Sequence, residues 1–176
     1  YTTDTKQYKK AYGTLPTPTR TGYRFNGWYT SETGGTVVNN TTIVSNSNAH
    51  TLYAHWSDVE APTCSFGSFS PTSTMKGTTA TINLTCTDNV GVITNTLTSS
   101  SFTISNTDAI TISNITSSAV SGGYKYVLTV TGGNGNAAST ITLKSGSVKD
   151  AAGNGNSAVT SASITNIADQ SGPEIS

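Results

Sequence analysis

Alternation is the pattern that most constrains this chain. From Thr79 to Thr87, Ala80, Ile82, Leu84 and Cys86 fall on one side of an extended strand, with Thr or Asn on the other. Tyr124, Tyr126, Leu128 and Val130 line one face of a second strand. Ile141 and Leu143 mark a third, and Ala158, Thr160, Ala162 and Ile164 a fourth. Period two is the spacing of a half-buried strand, and helical spacing of apolar residues is sustained nowhere. Thr suits the pleated outer faces because its β-branch fits them. Breaks such as Gly132-Gly133-Asn134-Gly135-Asn136 and Gly153-Asn154-Gly155-Asn156 supply the positive φ angles of tight turns. Further strands are expected over 63–69, 92–98, 102–105 and 109–115, with Ser70–Gly77 as a connection. So many short strands in about 110 residues predict an all-β chain with an antiparallel sandwich.

Composition narrows the function classes. The chain holds 34 Thr, 24 Ser, 15 Asn and 17 Gly, over half of its 176 residues, and only 10% charged side chains. Nine basic groups balance nine acidic ones, so phosphate-driven binding of nucleic acid has no electrostatic source. No apolar run approaches the roughly 20 residues that cross a bilayer as a helix.

Charge is unevenly spread and predicts two domains. Residues 1–57 carry Lys6, Lys9, Lys10, Arg20 and Arg24 against Asp4 and Glu32; residues 58–176 carry four basic groups against seven acidic ones. Six of eight Tyr and both Trp fall in the first segment. A domain of that size buries only about 60% of its unfolded surface and is marginal alone. The expected organisation is a module over 1–57, a sandwich over 58–168, and a linker or the start of a further repeat over 169–176.

Two resemblances sharpen this. Tyr12-Gly-Thr-Leu-Pro-Thr-Pro-Thr-Arg-Thr-Gly-Tyr23, Phe25-Asn-Gly-Trp-Tyr29, Gly34-Gly-Thr36 and Leu52-Tyr-Ala-His-Trp56 resemble the Listeria–Bacteroides repeat, also called the internalin B-repeat. The resemblance implies a small β-grasp-like module of a bacterial cell-surface protein. The further first strand of that family is not visible before Tyr8, so the module reads as truncated or as borrowing a strand. On physical grounds Tyr23, Phe25, Trp28, Tyr53 and Trp56 are the expected core, because each large ring buries much apolar area.

Asp58-Val-Glu-Ala-Pro62, Cys86-Thr-Asp-Asn-Val-Gly91 and Val148-Lys-Asp-Ala-Ala-Gly-Asn-Gly-Asn156 resemble the bacterial immunoglobulin-like repeats of surface proteins and adhesins. Asp169-Gln-Ser-Gly-Pro173 repeats the spacing of Asp58–Pro62, as the start of another repeat would. The resemblance implies a tandem array whose units contact their neighbours end to end.

The cysteines yield to arithmetic. Antiparallel partners have a constant index sum, and Cys64 with Cys86 centres a hairpin on position 75, within the expected connection. Cys86 shares the inward face with Leu84, and Cys64 shares a face with Phe66. A disulfide fits an exported protein and would contribute about 3 kcal/mol on the loop-entropy account. The other reading is two buried thiols acting as small hydrophobes.

In an immunoglobulin-like sandwich the start of the first strand and two of the turns share one pole. Here that gathers Asp58, Glu60, Asp88 and Asp150, with Asn89, Asn154 and Asn156. Clustered carboxylates call for a hard cation with oxygen ligands, which is Ca²⁺ rather than Zn²⁺. The expected metal set is Asp58, Glu60, Asp88, Asp150 and Asn154, and the resemblance adds that some such repeats hold Ca²⁺ between domains. The competing reading makes Asp88 and Asp150 caps of their own turns.

Catalysis has little support. His50 and His55 are the only histidines, and no Gly-x-Ser-x-Gly presents a nucleophile. Asp88 and Asp150 show nothing that would split their roles as glycosidase carboxylates. Lys76 and Lys125 are poorly placed for an isopeptide crosslink. Leu15-Pro-Thr-Pro18 lacks the Gly, apolar tail and basic end of a sorting signal. With no leader pattern seen, export follows from the resemblances and the cysteines.

The expected function is structural: a non-enzymatic repeat segment of a bacterial cell-surface protein, extracellular, forming a stalk or fibre that presents a distal adhesive domain. Its expected partners are neighbouring repeats of the same polypeptide, with host or cell-surface glycan or protein engaged through other domains. Self-assembly into filaments is an option through an open edge of the first module. The alternative is a module that itself binds glycan or host protein, stacking sugars on Tyr8, Tyr12 or Tyr29, or an accessory domain of a large secreted enzyme.

Overall fold

The structure, a computed structural model, describes residues 3–168. The chain divides into two units, Tyr1–Val59 and Glu60–Ser176. The Asp169–Pro173 motif and the expected linker or repeat start over 169–176 lie outside the described residues.

In the first unit, β1 (Tyr23–Tyr29), β2 (Val37–Val38) and β3 (Tyr53–Asp58) form an antiparallel sheet in the order β2-β1-β3. A bulge between Phe25 and Gly27 inserts Asn26. The extra residue shifts the side-chain alternation, so Tyr23, Phe25 and Trp28 share one face, opposite Asp58, Trp56 and Ala54. Phe25 therefore meets Trp28 at 5.6 Å and Trp56 at 5.3 Å between ring centres.

The core differs from the expected ring cluster. Tyr12, Val38 and Val44 are its buried members, with Leu15, Trp28 and Leu52 packed against them. Phe25 and Trp56 are half-buried, Tyr53 is exposed, and the Arg20 guanidinium lies 3.6 Å over the Tyr23 ring. Three strands cannot enclose five large rings, so irregular segments supply Tyr12 and Val44 beside Val38 of β2. Backbone bonds from Tyr12 N to Thr42 O (2.9 Å) and Val44 N to Lys10 O (2.8 Å) tie those segments together. Trp28 Nε1 donates to Pro16 O at 2.8 Å. No α-helix occurs among the described residues, so the β-grasp likeness extends to the sheet and not to a packed helix.

The second unit contains β4 (Thr63–Phe66), β5 (Ser73–Met75), β6 (Thr79–Thr87), β7 (Phe102–Ile104), β8 (Ile110–Val120), β9 (Gly123–Gly132), β10 (Ala137–Ser139), β11 (Ile141–Leu143), β12 (Val159–Thr160) and β13 (Ile164–Ile167). One sheet is β4-β6-β9-β8, antiparallel throughout. The other runs in two halves, β10-β13-β5 and β12-β11-β7. Only Thr140 separates β10 from β11. Across the break between β12 and β13, Ile141 N donates to Ser161 Oγ at 3.0 Å and Ser161 N to Ile141 O at 2.9 Å. The first sheet has the A-B-E-D order and the second the C-F-G order of an immunoglobulin-type sandwich, with β5 added in parallel beside β13. Ile82, Leu84, Cys86, Tyr126, Leu128 and Val130 face Phe102, Ile141, Leu143 and Ile164 across the core, all buried.

Four local expectations are corrected. Residues 92–98 form no strand; Val92 makes one isolated bridge to Asp150, and the Thr94 and Asn95 carbonyls accept from the side chains of Tyr126 and Ser117 instead of a ladder. The expected connection Ser70–Gly77 contains β5, which lacks apolar alternation and is held by buried Thr74, whose Oγ1 donates to Asn166 Oδ1 at 3.0 Å. Ala158, Thr160 and Ala162 are exposed; the break after Thr160 resets the alternation and buries Ser161 and Ile164. The strand expected over 109–115 runs on to Val120, because a bulge between Ile112 and Asn114 keeps Ile112 and Ile115 on the inner face at a spacing of three.

The disulfide between Cys64 and Cys86 is present, with Cα atoms 4.1 Å apart. The register runs from Thr63 opposite Thr87 to Phe66 opposite Leu84, the constant sum expected. Gly67 N bonds Asn83 O, so alternate pairs exchange hydrogen bonds and Cys64–Cys86 falls on a closely spaced, non-bonded pair.

Candidate functional site: an acidic turn pole of the sandwich

Asp88 follows β6, and Asp150 lies in the long turn between β11 and β12. Their turns are stitched together by the Val92–Asp150 bridge, by Ile93 N donating to Lys149 O (2.9 Å) and by Ala151 N donating to Gly91 O (3.3 Å). Gly91 and Gly153 hold φ near +90°, which makes these turns glycine positions.

Both acids cap their turns. Asp88 Oδ1 accepts from Val90 N at 2.9 Å. Asp150 is fully buried; its Oδ1 accepts from Asn154 N and its Oδ2 from Asn154 Nδ2, each at 2.8 Å. Asn156 acts as a brace: its Oδ1 accepts from Val148 N at 2.8 Å, and its Nδ2 donates to Lys144 O at 3.1 Å and Ser157 O at 2.7 Å.

Capping leaves one atom unexplained. Asp88 Oδ2 is buried with no hydrogen-bond partner. Asp88 and Asp150 bring carboxylate oxygens within 4.8 Å of one another. Two charged carboxylates so placed repel one another. An orphaned carboxylate oxygen beside a second carboxylate fits a hard cation that takes oxygen ligands.

The rest of the expected set lies as follows. Glu60 is exposed, the first residue of the second unit, and does not join the Asp88–Asp150 pair. Asn154 serves Asp150 as a double donor. Asp58 ends β3 in the first unit, half-buried and opposite Tyr23.

The sugar-stacking candidates are largely taken up by the fold. Tyr12 is buried, with its hydroxyl on His50 Nε2. Tyr29 stacks on His55 at 3.8 Å, and His55 Nε2 bonds Ser31 O at 2.9 Å, so that histidine is no open surface residue. Tyr8 stays half exposed, with Lys9 Nζ 5.4 Å from its ring centre.

Two buried polar groups escaped the sequence reading. Tyr126, fully buried, donates its hydroxyl to Thr94 O, and burial, helped by Tyr124, pushes its pKa up to about 12. Asn166 is fully buried, and its Nδ2 donates to Gly133 O at 3.0 Å and Gly135 O at 2.7 Å. An Asn at an inward position two residues after Ile164 was the available signal.

Residues 1–55 match the family model of the Listeria-Bacteroides repeat domain. No curated protein and no solved structure matches the chain. The matched family is found in bacterial surface proteins.

Proposed function

We propose that this chain is a non-enzymatic structural segment of an extracellular bacterial cell-surface protein, a stalk or fibre of β modules that holds a distal adhesive domain away from the cell. The observation that carries the reading is the match of residues 1–55 to a repeat family of bacterial surface proteins. The second unit is read as a bacterial immunoglobulin-like repeat, supported by its strand order and its Val148–Asn156 turn. Its partners are neighbouring repeats, stacked end to end. The test is antibody labelling of intact and permeabilised cells of the source bacterium, with antibody raised against this chain. Equal labelling of both is expected; labelling only after permeabilisation overturns the reading. Saturable, glycan-specific binding by the isolated chain would favour the module as a binder in its own right.

We further propose that the Asp88–Asp150 pole takes a calcium ion, supported by the orphaned Asp88 Oδ2. A ligand of the native state adds about 2.7 kcal/mol at a hundredfold excess over its Kd. A thermal melt of the chain in millimolar Ca²⁺ and again in EDTA should differ by several degrees in the sandwich transition. Asp88→Ala should abolish that difference. Superimposed wild-type curves would leave the two acids as turn caps alone.

A further inference from the structure

We propose that two copies of this chain associate edge to edge through β8, in antiparallel register centred on Ser117, joining their four-stranded sheets into one. The inference goes beyond the stalk reading and does not depend on it. β8 and β9 are joined by the two-residue turn Ser121-Gly122, with Val120 opposite Gly123. The pair flanking such a turn exchanges backbone bonds, and every second pair does so thereafter. The exchanging pairs are therefore Ser118–Lys125, Thr116–Val127 and Asn114–Thr129. The opposite side of β9 agrees, since Asp88 N donates to Gly122 O at 3.0 Å and sets the alternate residues of β9 toward β6. Ile115, Ser117 and Ala119 consequently turn their N–H and C=O groups away from β9, along the outer edge of the sheet.

That edge is long and unguarded. β8 has 11 residues and, among the described residues, only β9 as a strand neighbour. Proteins blunt such edges with charge, proline, bulges or shortness. Ile110–Val120 contains no charged residue and no proline, and residues 116–120 are all exposed. Its bulge lies at Ser113, leaving 114–120 regular. The opposite edge of the same sheet, β4, has four residues. The nearby loop reaches β8 through a side chain, with Ser117 Oγ donating to Asn95 O at 2.6 Å.

A second copy is the occupant that fits this edge. Around a two-fold axis at Ser117, Ile115 faces Ala119 of the other copy, Ser117 faces Ser117, and Ala119 faces Ile115. All three outward-facing residues then exchange backbone bonds, and the side chains of each pair lie on matching faces. A charge in the strand would sit close to its own copy across the axis; none is present. One strand pair buries less than a standard interface, so the association is weak singly and would gain by multivalency in an array.

Sedimentation velocity of the full chain from micromolar to millimolar concentration tests this. The weight-average sedimentation coefficient should rise toward that of a dimer. Thr116→Lys with Ser118→Lys places charges on exposed outer-face positions and should hold the chain monomeric. Ala119→Pro removes an outward N–H without touching a bond to β9, and should weaken association at least tenfold. Thr63→Lys with Ser65→Lys on β4 should leave it unchanged. A wild-type chain that stays monomeric throughout overturns the proposal. So does association that survives both β8 variants while their far-UV circular dichroism matches wild type.

Discussion

The first unit surrounds a three-stranded sheet with most of the chain's aromatic residues, yet its buried apolar cluster among the described residues is Tyr12, Val38 and Val44. The second has two tyrosines and no tryptophan, and among the described residues buries seventeen apolar residues in one cluster. The difference is layering. Two sheets face to face shield Ala, Val, Ile and Leu completely, whereas a single small sheet leaves even Phe25 and Trp56 half in water. Ring size does not replace a second layer. The first unit should therefore depend on a few large contacts and the second on many small ones.

The sharpest way to break that comparison is Trp28→Ala. Trp28 packs on the core, touches Phe25 and donates to Pro16 O. Removing a buried Trp costs about 3–5 kcal/mol; Trp28 is partly buried, so the lower end of that range applies, still comparable to the whole stability of so small a unit. The first unit should unfold at room temperature while the sandwich retains its own transition. Both tryptophans lie in the first unit, so Trp56 fluorescence reports that unit alone and far-UV circular dichroism reports the rest. Native-like Trp56 emission in the variant would show that the unit does not hang on one ring.

Next in size is the cystine. Cys64→Ser with Cys86→Ser should lower the sandwich by about 3 kcal/mol on the loop-entropy account, without moving the Trp fluorescence transition. A slightly smaller effect, at most about 2.7 kcal/mol, attaches to Tyr126. Burial raises its folded-state pKa to about 12 from an ordinary value of 10.0. The stability this contributes is fully present below pH 10 and is lost as pH rises through about 12. Wild type should lose sandwich stability across that window more steeply than Tyr126→Phe in parallel alkaline melts. Equal slopes would show that the Tyr126 phenol does not drive the alkaline loss.

Sequence made the sandwich legible because most of its strands are written in period two. β6 matches the alternation from Thr79 to Thr87 residue for residue, and the constant sum of Cys64 and Cys86 fixed the β4–β6 register. What it hid were elements held by single polar groups or shifted by a bulge. β5 rests on Thr74 and Asn166, and β8 continues past a bulge that breaks its alternation. The acidic pole was half visible. The chain's turn chemistry marked Asp88 and Asp150, but only folded geometry gives the orphaned oxygen of Asp88 and makes Asn156 a brace. The first unit is least legible, since ring content does not report burial and the Asn26 bulge leaves no mark in an alternation count.

That bulge carries the smallest predicted effect and the most direct test of why the first unit holds together. Gly27 sits beside it at φ +136°, where L side chains rarely go, though an added Cβ would find only ordinary contacts with Tyr29 and Val37 at 3.7 Å. The cost of Gly27→Ala is therefore backbone strain alone, of order 1 kcal/mol. The variant should lower the Trp fluorescence transition slightly and leave the sandwich untouched. Deleting Asn26 separates strain from register, because it removes the extra residue and sends Tyr23 and Phe25 to the opposite face. If the aromatic face matters, near-ultraviolet circular dichroism should collapse in the deletion and survive in Gly27→Ala. Equal spectra would mean that the Phe25–Trp28–Trp56 contacts follow from the fold rather than hold it.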